Sequence, residues 1–386
     1  MPADRVRGDG MRITGGTVFD LTNGFVSRDV FTDGAYLSDS SGDATVIDAN
    51  GCYVIPGLVD IHFHGCAGED FSDGSASGLA RIAEYELSHG VAYICPAGMT
   101  LPESRLIKIC QSAAEYKEHA SDGAELIGIN LEGPFVSAAK KGAQNEKYIH
   151  APDPVLLNKL QNAAKGLIKL VTLAPEHENA VSFIKAATKL GITVSVGHTN
   201  ADYDTANAAF AAGARQVTHL FNAMPPLHHR KPGVIGAAFD NTEVRAELIC
   251  DGVHVHPSAV RAAFRLFGAD RVILVSDSLR ATGMPDGDYP FGGQTITLHG
   301  NRAVMANDPD TLAGSATDLM GCLRKAVSFG VPLADAVRAS AYNSACAVGI
   351  DSRAGSLENG KEASLVLLDK ADLSVKCVIF KGKRVN

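Results

Sequence analysis

The sequence predicts a closed barrel of eight parallel strands, each followed by a helix, with a small β domain beside it. Three observations lead to this prediction. Eight short apolar runs recur along the chain, helical patterns lie between several of them, and turn-rich strand patterns occupy both ends. Near-continuous Val, Ile, Leu and Ala are typical of strands buried on both faces. Strands of this kind that alternate with helices predict a (β/α)8 barrel like that of triosephosphate isomerase.

The barrel strands can be placed from the apolar runs and the helices from their periodicity. The predicted strands lie near residues 54–64, 91–99, 126–132, 168–174, 192–197, 216–221, 246–251 and 271–276. The helical patterns are GLARIAEYELSHG, ESRLIKICQSAAEYKEH, ENAVSFIKAATKL, ADYDTANAAFAAG and HPSAVRAAFRLFG. An open doubly wound sheet is the alternative architecture, but no Gly-rich phosphate or dinucleotide loop follows the first strand.

The two ends of the chain differ from its middle, because short strand patterns and turns replace the alternation of strand and helix. Neither end is long enough to bury a core by itself, and pairing them solves this problem. We therefore expect residues 1–53 and 346–386 to form one β-sandwich domain. The catalytic barrel then spans residues 54–345, with a β-hairpin insert near 291–307.

Composition sets limits on the class of protein. The chain has 386 residues, 46% of them hydrophobic and 20% charged, which suits one barrel with a small accessory domain. The net charge of −8 does not favour nucleic-acid binding. No apolar run is long enough to predict a membrane span, and MPADRVRGDGMR lacks the apolar segment of a signal peptide. Eight scattered cysteines without a CxxC pair indicate a reduced, cytoplasmic protein.

Three of the apolar runs end in potential metal ligands, namely Glu132, His198 and His219. One carboxylate and two imidazoles form the ligand set of a catalytic divalent metal that keeps a position open for water. Because the carboxyl ends of parallel barrel strands meet at one rim, we expect these side chains to lie together. The sequence therefore predicts a metal centre at this rim.

His62 and His64 in DIHFHG extend the set, and Asp277 follows the last apolar run at the same rim. Alternate residues of a strand face the same side, so both histidines can point into the mouth of the barrel. Two interpretations stay open for this pair. Either the two histidines bind a second metal, or they hydrogen-bond to neighbours and shape the site.

A series of motifs along the whole chain resembles one known family. The motifs are PGLVDIHFHG, LEGPF, KGAQ, VGHTNA, THLFNAMPP, HRKPG, CDGVH, SDS and TLAGS. In this order and spacing they resemble the N-acetylglucosamine-6-phosphate deacetylases of the amidohydrolase superfamily. The resemblance implies metal-dependent hydrolysis of the N-acetyl group of N-acetyl-D-glucosamine 6-phosphate. The products would be D-glucosamine 6-phosphate and acetate, in amino sugar catabolism.

The resemblance also implies roles for individual residues. Asp277 would take the proton of the attacking water and return it to the leaving nitrogen, and His254 would hydrogen-bond the acetyl carbonyl. Arg230 would bind the 6-phosphate, and in the family this arginine and the DGVH histidine come from the neighbouring subunit of a homodimer. The residues expected to line the sugar are Ala143, Asn222, Ala223, Leu312, Ala313 and Gly314.

The residues leave several alternatives open. Zn, Fe, Mn and Co all suit nitrogen and oxygen ligands, and the ligand set allows one metal or two. N-acetylgalactosamine 6-phosphate, the C4 epimer, is an alternative substrate. A cyclic amidase or deaminase is a further alternative, although LVTLAPEH on strand four has no lysine to bridge two metals. An inactive scaffold is the third class, but no predicted metal ligand is missing.

Overall fold

The structure is a computed structural model that describes residues 10–40, 44–120 and 122–385. Part of the predicted small domain, including the start of the chain interpreted above as lacking a signal peptide, lies outside the described residues. The strands are, in chain order, β1 (Gly10–Thr14), β2 (Thr17–Asp20), β3 (Gly24–Ser27), β4 (Val30–Asp33), β5 (Tyr36–Ser38), β6 (Ala44–Asp48), β7 (Cys52–Pro56), β8 (Leu58–Asp60), β9 (Gly65–Cys66), β10 (Glu69–Asp70), β11 (Val91–Ile94), β12 (Ala97–Gly98), β13 (Glu125–Leu126), β14 (Ile129–Leu131), β15 (Ile168–Leu173), β16 (Thr193–Val196), β17 (Gln216–Val217), β18 (Arg245–Ile249), β19 (Val272–Val275), β20 (Gly287–Phe291), β21 (Gln294–His299), β22 (Arg302–Met305), β23 (Asp308–Ser315), β24 (Leu365–Asp369), β25 (Val375–Phe380) and β26 (Lys383–Arg384).

All five predicted helical patterns form helices, and side-chain caps fix where several helices begin. The helices are α1 (Ala76–Ser88), α2 (Glu103–His119), α3 (Pro154–Ala163), α4 (Ala180–Lys189), α5 (Tyr203–Ala212), α6 (Gly233–Asp240), α7 (Pro257–Phe267), α8 (Leu319–Ser328), α9 (Leu333–Ser340) and α10 (Tyr342–Ala347). Ser75 accepts a hydrogen bond from the backbone of Gly78 at the start of α1, and Asp202 does the same for Thr205 in α5. These caps satisfy backbone N–H groups that have no partner within the helix.

The middle of the chain is a parallel α/β fold. One parallel sheet has the strand order β12-β14-β15-β16-β17-β18-β19, and a second has the order β13-β11-β8. Backbone hydrogen bonds join the two sheets on both sides, from Ala97 N after β11 to Phe63 O at 2.7 Å and from Asp277 N to His62 O at 2.9 Å. The carboxyl ends of these strands consequently face one common rim.

Two strand predictions need correction. The run near residues 54–64 is not one strand, because β7 pairs with β24 in a different sheet and only β8 belongs to the parallel set. The run near 216–221 forms a strand only over Gln216–Val217. The chain leaves the strand there because His219 adopts a positive φ of 29°, which ends regular pairing.

The two ends of the chain pair in one six-stranded sheet of order β26-β25-β24-β7-β2-β3. Val54 of β7 lies opposite Leu367 of β24 in antiparallel register. A four-stranded sheet of order β5-β4-β1-β6 accompanies it. Apolar side chains of both sheets form one buried cluster that includes Ile13, Leu37 and Ile379.

The insert after β19 is larger than the predicted hairpin near 291–307. Strands β20 to β23 form a four-stranded antiparallel sheet that extends from Gly287 to Ser315. The last strand, β23, carries the TLAGS motif, and its pairing with β22 is interrupted by register shifts. Because of these irregularities and the polar residues DPDT, β23 does not show the alternation of apolar and polar residues by which a strand is predicted. Among the described residues, no helix combines the length and apolar character that crossing a membrane requires.

Glu125 on β13 anchors an ion-pair network, and we expect it to stabilise the fold down to low pH. Burial alone would raise its pKa, but Arg353, Lys117 and Lys381 outweigh burial and lower the pKa to about 2. Because this pKa is depressed, the stabilisation is present above pH 4.5 and is lost as the pH falls towards 2. Glu125→Gln should therefore lower the free energy of unfolding by about 2 kcal/mol at pH 7 and much less at pH 3.

Chemical denaturation of wild type and variant at the two pH values measures this effect. Glu118→Gln is the matched control, because Glu118 pairs with Lys165 on the exposed surface and such pairs contribute little. An equal loss in Glu125→Gln at pH 7 and pH 3 would mean that the carboxylate charge is not the source of the stability.

Candidate metal centre and active site

The predicted catalytic side chains follow the parallel strands at one rim. Glu132 comes directly after β14, and His198, His219 and Asp277 follow β16, β17 and β19 by two residues. His198, His219 and Asp277 have positive φ values of 45°, 29° and 49°. This backbone conformation costs on the order of 1–3 kcal/mol for residues other than glycine and is concentrated at functional sites. The strain marks this rim as the candidate site independently of residue chemistry.

Two glycines beside the metal-ligand candidates are required by close packing. Gly133 has a φ of 106°, and a Cβ atom there would lie 2.1 Å from Thr100 Oγ1. A Cβ atom on Gly197 would lie 2.4 Å from Thr218 Cβ. The glycines in LEGPF and VGHTN therefore let Glu132 and His198 turn into the rim without a clash.

Glu132, His198 and His219 form a compact buried cluster. Glu132 Oε1 lies 3.0 Å from His198 Nε2 and 3.1 Å from His219 Nε2, and the two Nε2 atoms are 3.0 Å apart. His198 Nδ1 lies 2.9 Å from the carbonyl oxygen of Lys140 and donates to it, so its Nε2 carries the lone pair. Donor atoms this close together can hold one metal ion.

His62 and His64 extend this cluster to a second group. His62 Nε2 lies 3.3 Å from Glu132 Oε1, and His64 Nε2 lies 3.2 Å from Glu132 Oε2 and 3.3 Å from Asp277 Oδ1. His62, His64 and Glu132 can also hold a metal ion. Among the described residues, His62 Nε2 and Asp277 Oδ1 are buried atoms without a hydrogen-bond partner. Such atoms are expected where a cation belongs, so the residues present fit a metal centre.

The electrostatics of the cluster also favour a cation. Burial would raise the pKa of Glu132, but His62 and His198 hold it well below its usual value. Burial raises the pKa of Asp277 as well, and its contact with His64 outweighs burial and lowers it. Burial lowers the pKa of both histidines, but Glu247 and Glu132 raise that of His62, and Asp277 and Glu132 raise that of His64. The carboxylates are therefore anionic and attract positive charge, whether protons or a metal ion.

The cluster forms the floor of a cavity of about 370 Å³. Most residues predicted to contact the substrate line this cavity: Ala143, Asn222, Ala223, His254, Leu312, Ala313 and Gly314. Phe291 and Asp310 of the four-stranded insert also line it, and Gln294 of the insert donates to the carbonyl oxygen of Ala143 at 2.8 Å. The insert therefore covers one side of the cavity and holds the KGAQ loop.

Arg230 is the predicted contact that the structure does not bring to the cavity of its own chain. It is exposed, and its guanidinium lies 2.7 Å from His229 Nε2. Residues 226–231, the later part of the loop between β17 and α6, are exposed, and Arg230 is absent from the lining. Within the described part of the chain, Lys140 is the only lysine or arginine that lines the cavity.

His254 is held by an aspartate that the sequence did not single out. His254 Nδ1 donates to Asp251 Oδ2 at 2.7 Å, and Asp251 Oδ1 accepts from the backbone N–H groups of Val253 and His254. Burial lowers the pKa of His254, but Asp251 outweighs burial and raises it above its usual value. The ring is thereby fixed as a hydrogen-bond donor at the edge of the cavity of its own chain, whereas the resemblance implied that this histidine comes from the neighbouring subunit.

Two further residues contact the metal-ligand candidates and were missed. Gln144 Nε2 donates to Glu132 Oε2 at 2.6 Å, while Gln144 Oε1 accepts from Thr100 N at 2.7 Å. Glu247 accepts from His62 Nδ1 at 2.7 Å. Glu247 could have been found from the sequence, because a glutamate is unusual within an apolar strand such as RAELIC. The KGAQ motif, which ends in Gln144, was the available signal for that residue.

Comparisons with known proteins agree with this geometry. Residues 53–385 match the model of the amidohydrolase family. The chain is 40% identical to the N-acetylglucosamine-6-phosphate deacetylase of Bacillus subtilis over 333 residues, covering 85% of this chain and 83% of that protein. It is 32% identical to the N-acetylgalactosamine-6-phosphate deacetylase of Escherichia coli O157:H7, covering 91% and 92%.

A solved structure is similar over almost the whole chain. It is an Asp-to-Ala variant of the N-acetyl-D-glucosamine-6-phosphate deacetylase of Mycobacterium smegmatis in complex with N-acetyl-D-glucosamine 6-phosphate. Its TM-score is 0.91 at 32% identity, with 98% of this chain and 100% of that chain covered. The family match, the relatives and the metal-ligand geometry agree, and the chain belongs to the amidohydrolase family.

Proposed function

We propose that this chain hydrolyses the N-acetyl group of N-acetyl-D-glucosamine 6-phosphate to D-glucosamine 6-phosphate and acetate. The observation that carries the proposal is the cluster of Glu132, His198 and His219 at the floor of a cavity that Asp277 and His254 also line. The similarity to deacetylases of this substrate supports the same reaction. These residue types supply what amide hydrolysis requires: activation of the attacking water, polarisation of the carbonyl group and a proton for the leaving amine.

Glu132, His198 and His219 would hold a divalent metal, which would supply Lewis acidity to polarise a carbonyl and lower the pKa of water. Asp277 is the proton carrier. It is anionic and lies at the cluster, so it can accept a proton from the attacking water and deliver it to the departing nitrogen. His254, oriented by Asp251, donates a hydrogen bond to the acetyl oxygen as negative charge develops there.

The number and identity of the metals are part of the proposal. The nitrogen and oxygen ligands suit Zn, Fe, Mn or Co. We place the first metal at Glu132, His198 and His219 and a second at His62, His64 and Glu132. Asp277 Oδ1 lies between the two histidines of the second group, 3.9 Å from His62 Nε2 and 3.3 Å from His64 Nε2.

Phosphate recognition is proposed to involve a second subunit. Arg230 is exposed and does not line the cavity of its own chain, as expected of a residue that completes the cavity of a neighbour in a homodimer. A guanidinium suits a phosphate because it donates two parallel hydrogen bonds. Ala143, Asn222, Ala223 and the residues from Leu312 to Gly314 contact the sugar.

Arg230→Ala should raise the KM for the phosphorylated sugar far more than the KM for N-acetylglucosamine without phosphate. Loss of a charged hydrogen bond to phosphate costs on the order of 2–3 kcal/mol, or roughly 30- to 150-fold. Steady-state acetate release on both substrates measures the difference. Lys140→Ala is the matched control from the cavity rim, and it should change KM much less. A larger rise in KM for the phosphorylated sugar in Lys140→Ala than in Arg230→Ala would show that Lys140 of the same chain binds the phosphate.

Two inactive variants should complement each other if the sites are shared. Arg230→Ala and Asp277→Asn chains are each expected to be nearly inactive on the phosphorylated sugar. In a mixed dimer, one site receives the intact Arg230 from one chain and the intact Asp277 from the other. Random mixing should therefore restore about a quarter of the wild-type sites. Verified heterodimers without recovery beyond the two parents would show that Arg230 does not act across subunits.

The fold that supports this site is proposed to be a closed (β/α)8 barrel over residues 54–345, with a β-sandwich domain from residues 1–53 and 346–386. The hydrogen bonds that join the two parallel sheets on both sides support closure of the barrel. The pairing of β7 with β24 supports a small domain built from both chain ends. In such barrels, reactive groups come from the carboxyl ends of several strands.

A second candidate substrate is N-acetylgalactosamine 6-phosphate, because the chain is also similar to a deacetylase of that epimer. Acetate release from equal concentrations of the two epimers tests the proposal directly. We expect the higher kcat/KM for N-acetyl-D-glucosamine 6-phosphate. A higher kcat/KM for the C4 epimer would replace the substrate, whereas no acetate from either would refute the proposed function.

A further inference from the structure

Glu247 is a buried carboxylate in the middle of β18, and its solvent exposure is 1%. The interior of a parallel barrel is usually filled by branched apolar side chains. A buried charge is costly unless it is paired. Among the described residues, the only ion pair of Glu247 is with His62, and no lysine or arginine contacts it. Packing alone therefore does not account for this residue type at this position.

Glu247 contacts one residue of each group that could hold a metal, His62 in one and His219 in the other. Its Oε2 atom accepts from His62 Nδ1 at 2.7 Å and from the backbone N–H of His219 at 3.1 Å. Its Oε1 atom accepts from Gln216 Nε2 at 2.5 Å. Gln216 thus orients the carboxylate, and the carboxylate orients a side chain of one metal group and the backbone of the other.

The hydrogen bond to His62 decides which ring nitrogen can bind a metal. A neutral imidazole carries one N–H, so donation from Nδ1 to Glu247 leaves the lone pair on Nε2. That Nε2 atom faces Glu132 Oε1 at 3.3 Å. The corresponding nitrogen of His64 faces only a backbone carbonyl, that of Ala97 at 3.2 Å. Of the two histidines in DIHFHG, His62 is therefore the one whose Nδ1 contacts a carboxylate among the described contacts.

We propose that Glu247 is a positioning residue that fixes the ring of His62 and makes it a stronger ligand for the second metal. A carboxylate behind a ligand histidine raises its basicity and sets its orientation. Glu247 acts through His62 and does not touch the substrate cavity. The inference rests on the proposed metal centre and assigns the second metal's affinity to a residue outside the ligand set.

Metal titration of metal-free protein tests this role without an activity measurement. Binding of Zn²⁺ to wild type, Glu247→Gln and Glu247→Leu is followed by competition with a chromophoric chelator. We expect wild type to bind two equivalents. Glu247→Leu should bind the second equivalent roughly 10- to 100-fold more weakly and the first within a few-fold. Glu247→Gln keeps a hydrogen-bond acceptor but loses the negative charge. Its affinity for the second Zn²⁺ should therefore lie between those of wild type and Glu247→Leu.

Thr172→Val is the matched control, because Thr172 is buried and its side chain hydrogen-bonds only to Thr218 among the contacts described. It should bind both equivalents like wild type. Equal weakening of both equivalents in the Glu247 variants would show a general structural role and overturn the inference. An unchanged affinity of Glu247→Gln for the second Zn²⁺ would also overturn the inference, and this result is sufficient if Glu247→Leu does not fold.

The outcome also separates this inference from the proposed function. If wild type binds one Zn²⁺ equivalent and still releases acetate, the role of Glu247 in a second metal site is refuted and the deacetylase proposal stands. If wild type binds two equivalents and Glu247→Leu loses one, but no sugar phosphate is deacetylated, the inference stands and the function is wrong.

Discussion

Replacing Glu132 by Gln is expected to remove metal and activity together. Glu132 contributes its Oε1 atom to contacts with His198 and His219 and its Oε2 atom to the contact with His64. A neutral amide is a poor metal ligand, and Gln144 already donates to this side chain. Loss of metal removes several kcal/mol of transition-state stabilisation, so kcat/KM should fall by a factor on the order of 10³ or more.

Metal content and acetate release should be measured on the same sample of Glu132→Gln. Glu86→Gln is the matched control, because Glu86 is fully buried and does not line the cavity. Burial raises the pKa of Glu86 well above its usual value, so an amide replaces a protonated acid there. The control should keep its metal. Full metal occupancy in Glu132→Gln would show that the proposed ligand set is wrong.

Replacing Asp277 by Asn is expected to lower the turnover number by a factor on the order of 10² or more. The amide keeps the shape of the side chain but cannot accept a proton from water. Metal content should stay near that of wild type, because Glu132, His198 and His219 are unchanged. Turnover and metal content together separate loss of the proton carrier from loss of the centre.

Asp318→Asn is a suitable control for this variant, because Asp318 caps α8 through Gly321 N and plays no part in the proposed chemistry. Asparagine caps a helix about as well as aspartate, so both stability and turnover of this variant should stay near those of wild type. If Asp277→Asn keeps turnover within a few-fold of wild type, Asp277 has a structural role and another group must carry the proton.

The sequence predicted the rim well because its signals are local. Glu132, His198 and His219 each follow an apolar strand run, and a parallel sheet brings such positions together. Five helices were also predicted, since their apolar periodicity extends over ten or more residues, whereas α3, α6, α8, α9 and α10 were not. The joint pattern of strand and polar end was sufficient to predict that these side chains lie together, as they do in a group that could hold a metal ion.

Other features could not be read in this way, for identifiable physical reasons. The strand at β17 is short because His219 turns away with a positive φ, and sequence does not show φ. The extent of the insert depends on the pairing of β22 with β23, which is irregular. Gln144 and Asp251 act through contacts that are specific to the folded rim. Arg230 is exposed, and the phosphate contact proposed for it requires a second subunit.

The central claim is that the Glu132, His198 and His219 centre makes this chain a deacetylase. Reconstitution of metal-free protein with Zn²⁺, Fe²⁺, Mn²⁺ or Co²⁺ tests it most directly, with acetate release from N-acetyl-D-glucosamine 6-phosphate measured at each added equivalent. Without metal we expect no measurable acetate release, and with added metal we expect the rate to rise until the centre is filled. The same rate in metal-free and metal-loaded wild type would contradict it.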